Sequence, residues 1–235
     1  SEFLCRYKSH AAAKTGPEKR RTRKTMTYTI EKIIAVMKAS GYAVFENDVK
    51  NYNLNIAGIR HTTNVPNAFD DLLCVFWKYN GAWTLRVFPC TTDPGTYWLK
   101  NPENKLGTAI VKEGQYKGVW KLGLHQGKYK ALVQKNPITV IRDFDRDNEL
   151  DYDSGKEETG IFGINCHRAN ENGKSVNVDK WSAGCQVLQN REIFHPENQA
   201  EKVFEFDYLL HLCDKAKENF SDSFTYTLLN EKQFA

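Results

Sequence analysis

Residues 72–78 and 83–88 are two apolar and aromatic runs separated only by Tyr79-Asn80-Gly81-Ala82. Asn-Gly supplies the positive φ values that a tight two-residue β-turn demands, so the pair reads as a hairpin. A hairpin commits the middle of the chain to antiparallel pairing, and the residues that follow keep the same texture. Residues 107–112, 116–123, 129–134, 138–142 and 161–166 read as further strands, with Gly114, Gly118 and Gly127 as punctuation. Residues 224–229 read as a closing strand.

Helical periodicity is confined to the two ends. Ile30, Ile33, Ile34 and Met37 recur at spacings of three and four within residues 28–40, and Gly41 reads as the stop. A short strand is expected over 42–45. Residues 200–219 read as an amphipathic helix with Val203, Phe206, Leu210 and Cys213 on one face. The expected fold is therefore mostly β (α+β), a sandwich or barrel-like domain over 55–235 with peripheral helices, preceded by a helical subdomain or decoration at 26–54.

A length of 235 residues holds one large or two small domains, and 40% hydrophobic with 26% charged residues reads as a soluble globular chain. No apolar run approaches the roughly twenty residues of a membrane-spanning helix, so no membrane insertion is expected. The net charge of +4 belongs to the first 25 residues, whose own balance is +6, leaving −2 for the remainder. That basic stretch reads as a solvated tail, with Ser1-Glu2-Phe3 as a remnant of cloning and Met26 as an alternative start. No aromatic residues interleave its basic cluster Glu18-Lys19-Arg20-Arg21-Thr22-Arg23-Lys24, so a nucleic-acid partner is not expected. No apolar core of a secretory signal is visible in it.

Six cysteines are scattered without a C-x-x-C pair, which argues against a zinc ribbon or a disulfide-dense scaffold. Two of them flank the histidine that matters most. Asn165-Cys166-His167-Arg168 is followed by Ser182-Ala183-Gly184-Cys185-Gln186-Val187, with Cys185 eighteen positions after His167. A free thiol is mostly protonated at neutral pH, and a neighbouring histidine is the usual base that activates it. Gly184 permits a tight turn, and amides around Gly184 and Cys185 can stabilise an oxyanion. Ser182 either bonds the turn or assists the chemistry. Cys166 is a rival sulfur, able to pair with Cys185.

This S-x-G-C segment with its upstream histidine resembles the active-site signature of the L,D-transpeptidase (YkuD-type) family, cysteine enzymes that remodel peptidoglycan. The resemblance is strong over residues 161–188, weak over 72–123 and absent before 55. It implies that His167 is the base and Cys185 the nucleophile, with Ser182 and Gly184 matching the serine and glycine of the cysteine loop. The cysteine would attack the carbonyl of a stem-peptide diaminoacyl residue, expel D-alanine and pass the acyl group to an amine, with no cofactor. Hydrolytic trimming by the same residues, as an L,D-carboxypeptidase or endopeptidase, or a non-catalytic cell-wall-binding or virion structural protein, are the alternatives. The place of action would be the cell wall, reached by delivery or as a phage protein.

Three positions depart from the family pattern. Ala183 stands where histidine is frequent, Arg168 where glycine or serine is usual, and Gln186-Val187 where an aliphatic residue and arginine are usual. Arg168 then offers a displaced cation for a stem-peptide carboxylate, or is an ordinary surface ion pair. Ala183 and Gln186 flank the nucleophile as substrate contacts, and Trp181 either floors the pocket or belongs to the core.

Two further stretches carry candidate chemistry. Residues 93–104, rich in turn formers and aromatics, either wall a cleft or cap a sheet edge. Asp143, Asp145 and Asp147 alternate like the start of a calcium loop, though Asn148 holds the position usually given to glycine and Ser154 that of the bidentate glutamate. His125 reads as an exposed turn residue or, alternatively, a second catalytic histidine, and His211 and Cys213 read as structural.

Overall fold

Helix α1 (Ile30–Ala39) begins where the extended Thr29 accepts the Lys32 N–H on its side chain, and it buries Ile33 and Met37. The computed structural model describes residues 27–47, 49–63, 65–153 and 155–235. The basic tail and Cys5 lie outside the described residues.

Strands β1 (Asn55–Arg60), β2 (Asp71–Tyr79) and β3 (Ala82–Thr91) follow α1. Asn80 and Gly81 turn the chain between β2 and β3 with φ of 49° and 81°, as the hairpin requires. β2 is buried on both faces. Leu73, Val75 and Trp77 join the larger core with Trp120, Phe206 and Tyr226, whereas Leu72, Cys74 and Phe76 face α1 and Phe234. A strand covered on both sides reads as a continuous apolar run, which is what residues 72–77 are.

After a short helix α2 (Thr96–Lys100) come β4 (Thr108–Val111), β5 (Gly114–His125), β6 (Tyr129–Gln134), β7 (Ile138–Asp143), β8 (Lys156–Gly160), β9 (Cys166–Arg168) and β10 (Gln186–Leu188). The chain closes with β11 (Glu192–His195), β12 (Asn198–Phe204), α3 (Glu205–Asn219) and β13 (Phe224–Asn230). Eight strands form a closed barrel in the order β1-β13-β5-β6-β9-β10-β3-β2. Two of its pairings, β1 with β13 and β9 with β10, are parallel. A three-stranded sheet β4-β7-β8 and a hairpin β11-β12 stand beside it. The mostly-β, barrel-like expectation with peripheral helices holds. Among the described residues no helix is long and apolar enough to cross a membrane.

Four local expectations need correction. Residues 42–45 are irregular: the Ala43 N–H donates to Gln115 Oε1 and the Phe45 N–H to Asn55 Oδ1, so side chains take the place of a neighbouring strand. Residues 161–165 are also irregular, and the strand there begins only at Cys166. The C-terminal helix starts at Glu205 rather than Ala200, because residues 198–204 pair with β11 and put Val203 opposite Ile193. Within the loop after β3, residues 96–100 coil into α2.

Candidate active site

The cysteine turn is built from the parallel pairing of β9 and β10. Gln186 stands in register with Cys166 and Val187 with His167, so the residue before β10 lies beside the entrance to β9. The Gln186 N–H donates to Asn165 O at 2.9 Å and locks that register. Cys185 Sγ then accepts the Asn165 N–H at 3.4 Å and donates to Gly163 O at 3.5 Å.

Gly184 makes the turn possible. Its φ is +120°, and a Cβ there would lie 2.5 Å from Ala109 O and 3.0 Å from the Ala109 side chain on β4. Neither the conformation nor the space admits a side chain. Ser182 is fully buried and braces the same turn: its Oγ donates to Cys185 O at 2.8 Å and accepts the Gly184 N–H at 3.2 Å. Of the two alternatives for Ser182, the geometry supports bonding the turn. It also engages the Gly184 amide, which was expected to face an oxyanion.

His167 is buried and its two ring nitrogens are treated differently. Nδ1 lies 2.7 Å from Arg168 O, an acceptor only, so Nδ1 carries the proton. Nε2 is buried without a hydrogen-bond partner among the described residues. An imidazole held as the Nδ1–H tautomer, with a bare Nε2, is set up to accept a proton. Tyr129 packs beside His167 and Arg168, its hydroxyl 3.2 Å from Nδ1 and donating to Arg168 O at 3.4 Å.

Burial pushes the His167 pKa down to about 3, helped by the neighbouring His125. Burial also pushes the Cys185 thiol up to about 11, opposed by the Asn165 N–H. The resting pair is therefore neutral thiol and neutral imidazole.

Of the two sequence readings of His125, the structure places it at the cleft rather than on an exposed turn. It ends β5, and its ring stacks on His167 with centroids 4.1 Å apart. Asn165 fixes it: Oδ1 accepts the Gln134 N–H at 2.8 Å, so Nδ2 is the atom 3.0 Å from His125 Nδ1 and donates to it. Burial, then Lys128, lowers the His125 pKa.

Both histidines and Cys185 line one cleft of about 580 Å³. Its walls include Trp98, Phe162, Trp181 and Ala183, with Arg142 and Lys180 as its cations. Trp181 is 43% exposed and walls the cleft, which settles its two readings against the core. The 93–104 loop walls it too, through Trp98, whose Nε1 donates to Lys180 O at 3.0 Å.

Two expected substrate contacts lie elsewhere. Gln186 is fully buried, with Nε2 donating to Thr92 O and Gly184 O and Oε1 accepting from Tyr226 at 2.5 Å. It anchors the turn from behind, because adjacent strand residues point to opposite faces. Arg168 pairs with Glu171 at 3.0 Å and lies over the Tyr129 ring at 4.0 Å, outside the cleft lining. Its carbonyl, rather than its guanidinium, serves the site. Cys166 is a free, fully buried thiol raised in pKa by its burial, so it is neither bridged to Cys185 nor open to substrate.

The acidic residues stand in a separate place. Asp143, Asp145 and Asp151 bring carboxylate oxygens within 4.8 Å of one another. Asp147, expected in that group, instead accepts the Glu149 N–H at 2.6 Å. The chain matches no protein-family model, no curated protein and no solved structure.

Proposed function

We propose that the protein is a cysteine-dependent acyl-transfer enzyme acting on peptide substrates of the peptidoglycan stem-peptide class. The observation that carries this reading is that His167, whose buried Nε2 has no hydrogen-bond partner among the described residues, lines the same cleft as Cys185. A buried nitrogen without a partner costs stability and is retained where a proton must be received.

As substrate seats, Cys185 Sγ attacks the scissile carbonyl while its proton passes to His167 Nε2. The carbonyl π pair moves to oxygen, and the Cys185 amide at the turn is the nearest donor not engaged by Ser182. Collapse of the tetrahedral species breaks the C–N bond, and the imidazolium returns its proton to the leaving amine. The thioester is then taken by an acceptor amine or by water, whose proton goes to His167 Nε2 in turn. Formation of a thiolate waits for substrate, since neither resting pKa favours the ion pair.

The cleft suits an extended peptide with a terminal carboxylate. Trp98, Trp181 and Phe162 offer apolar walls, and Arg142 with Lys180 supplies the cations that Arg168 was expected to give. Arg142 is held in place by Glu158 at 2.7 Å and by the Phe162 ring at 4.8 Å. Incubation with defined tetrapeptide muropeptides, followed by product mass, tests the reading and separates transfer to an amine from hydrolysis. Neither product in folded, reduced protein would leave a non-catalytic cell-wall-binding role.

A further inference from the structure

We propose that Asp143, Asp145 and Asp151 bind a single divalent cation of calcium's size on the loop between β7 and β8. Asp143 ends β7, while Asp145 and Asp151 sit on the loop that follows it. Hard cations of this kind take carboxylate oxygens at about 2.3–2.6 Å, so ligands around one ion stand no more than about 5 Å apart. The three carboxylates meet that limit, with oxygens within 4.8 Å.

The observation that points to a ligand, beyond the clustering, is Asp143 itself. It is 1% exposed, and its Oδ1 has no hydrogen-bond partner among the described residues. Only Oδ2 is used, accepting the Asp151 N–H at 3.1 Å. A buried carboxylate with one unpartnered oxygen, grouped with two further carboxylates and with no lysine or arginine paired to any of the three among the described residues, lacks the countercharge that burial demands.

The position gives the ion a structural role. Thr108 on β4 pairs with Asp143, and Gly107 and Thr108 border the cleft. Past Asp151 the loop delivers Tyr152, whose hydroxyl donates to Asp93 Oδ2 at 2.9 Å and whose ring lies under Arg60. Asp93 belongs to the segment whose Gly95 N–H holds Ser182 O at 2.9 Å. A cation at the acidic loop therefore braces the wall of the cleft and the support of the cysteine turn. The proposal is independent of the reaction assigned to that turn.

The test is calorimetric titration of the chelator-stripped full chain with CaCl2, and separately with MgCl2, alongside thermal unfolding. Wild type is expected to bind one Ca²⁺ with a dissociation constant on the order of 0.1–1 mM. Saturating Ca²⁺ should raise Tm by about 2–4 °C, with Mg²⁺ weaker. Asp145→Asn and Asp151→Asn, which alter loop residues and leave the buried Asp143 intact, should each weaken Ca²⁺ binding at least tenfold. Absence of saturable binding in folded wild type would overturn the proposal. So would binding that survives in both variants, or a preference for Mg²⁺.

Discussion

His125 lies face to face with His167, ring centroids 4.1 Å apart and planes inclined by 26°. One imidazole thus covers the face of the other and helps keep it neutral, since a second positive charge at that distance would be repelled. His125→Ala should admit water to the His167 ring and raise its pKa toward the ordinary 6.5. The acid limb of the kcat/KM profile should move up by at least one pH unit. An unmoved acid limb would show that His125 is a bystander.

The thiol is expected to be unreactive at rest. Cys185 is the one free cysteine among the described residues that is not buried, so among these cysteines iodoacetamide should label it alone in the folded protein. With its pKa pushed up to about 11, the labelling rate should climb about tenfold per pH unit between pH 7 and 10. A rate that levels off below pH 8 would reveal a preformed thiolate–imidazolium pair.

Gly184→Ala should be disproportionately costly. The added Cβ meets Ala109 O at 2.5 Å in a backbone with φ of +120°. Strain of this kind costs about 1–3 kcal/mol before the clash is counted. Urea unfolding should show a loss of about 2 kcal/mol or more, and acyl transfer should be lost with it. A variant of wild-type stability and activity would mean that the turn is not held against β4.

The pH dependence of stability has two opposing parts. His167 titrates at about 3 when folded and near 6.5 when unfolded, so between those values the unfolded chain binds the extra proton. Its contribution is present above pH 6.5 and is lost as pH falls. Asp71 and Asp93, raised by burial to about 6, act the other way: their contribution is present below 3.8 and is lost as pH rises through 6. Against His167→Gln, wild type should lose ground on acidification from pH 6.5 to 4, by no more than ~1.4 kcal/mol per pH unit. A difference independent of pH would contradict a neutral buried imidazole.

What was legible in the sequence was local. Asn80-Gly81 writes its own turn chemistry, and the three-four spacing of Ile30, Ile33 and Met37 writes a helix face, so both elements fall where expected. The start of α3 carries no such mark, because Phe204 offers no capping side chain and β12 shares the apolar spacing of the helix. Cys185 and His167 line one cleft, His167 on β9 and Cys185 directly before the parallel β10. His125 was legible only as a secondary reading, because its place beside His167 depends on the pairing of the β5-β6 hairpin with the distant β9. Gln186 was legible in principle: strand alternation turns it away from the cleft that Cys185 faces.

The proposed mechanism puts the acyl group on Cys185 and not on Cys166. Intact mass after incubation with tetrapeptide muropeptides, on wild type, Cys185→Ala and Cys166→Ala, tests it most directly. The predicted result is a thioester adduct or processed peptide in wild type and Cys166→Ala, and neither in Cys185→Ala. Adduct or product that persists in Cys185→Ala, or is absent from folded, reduced wild type across the stem-peptide series, would contradict it.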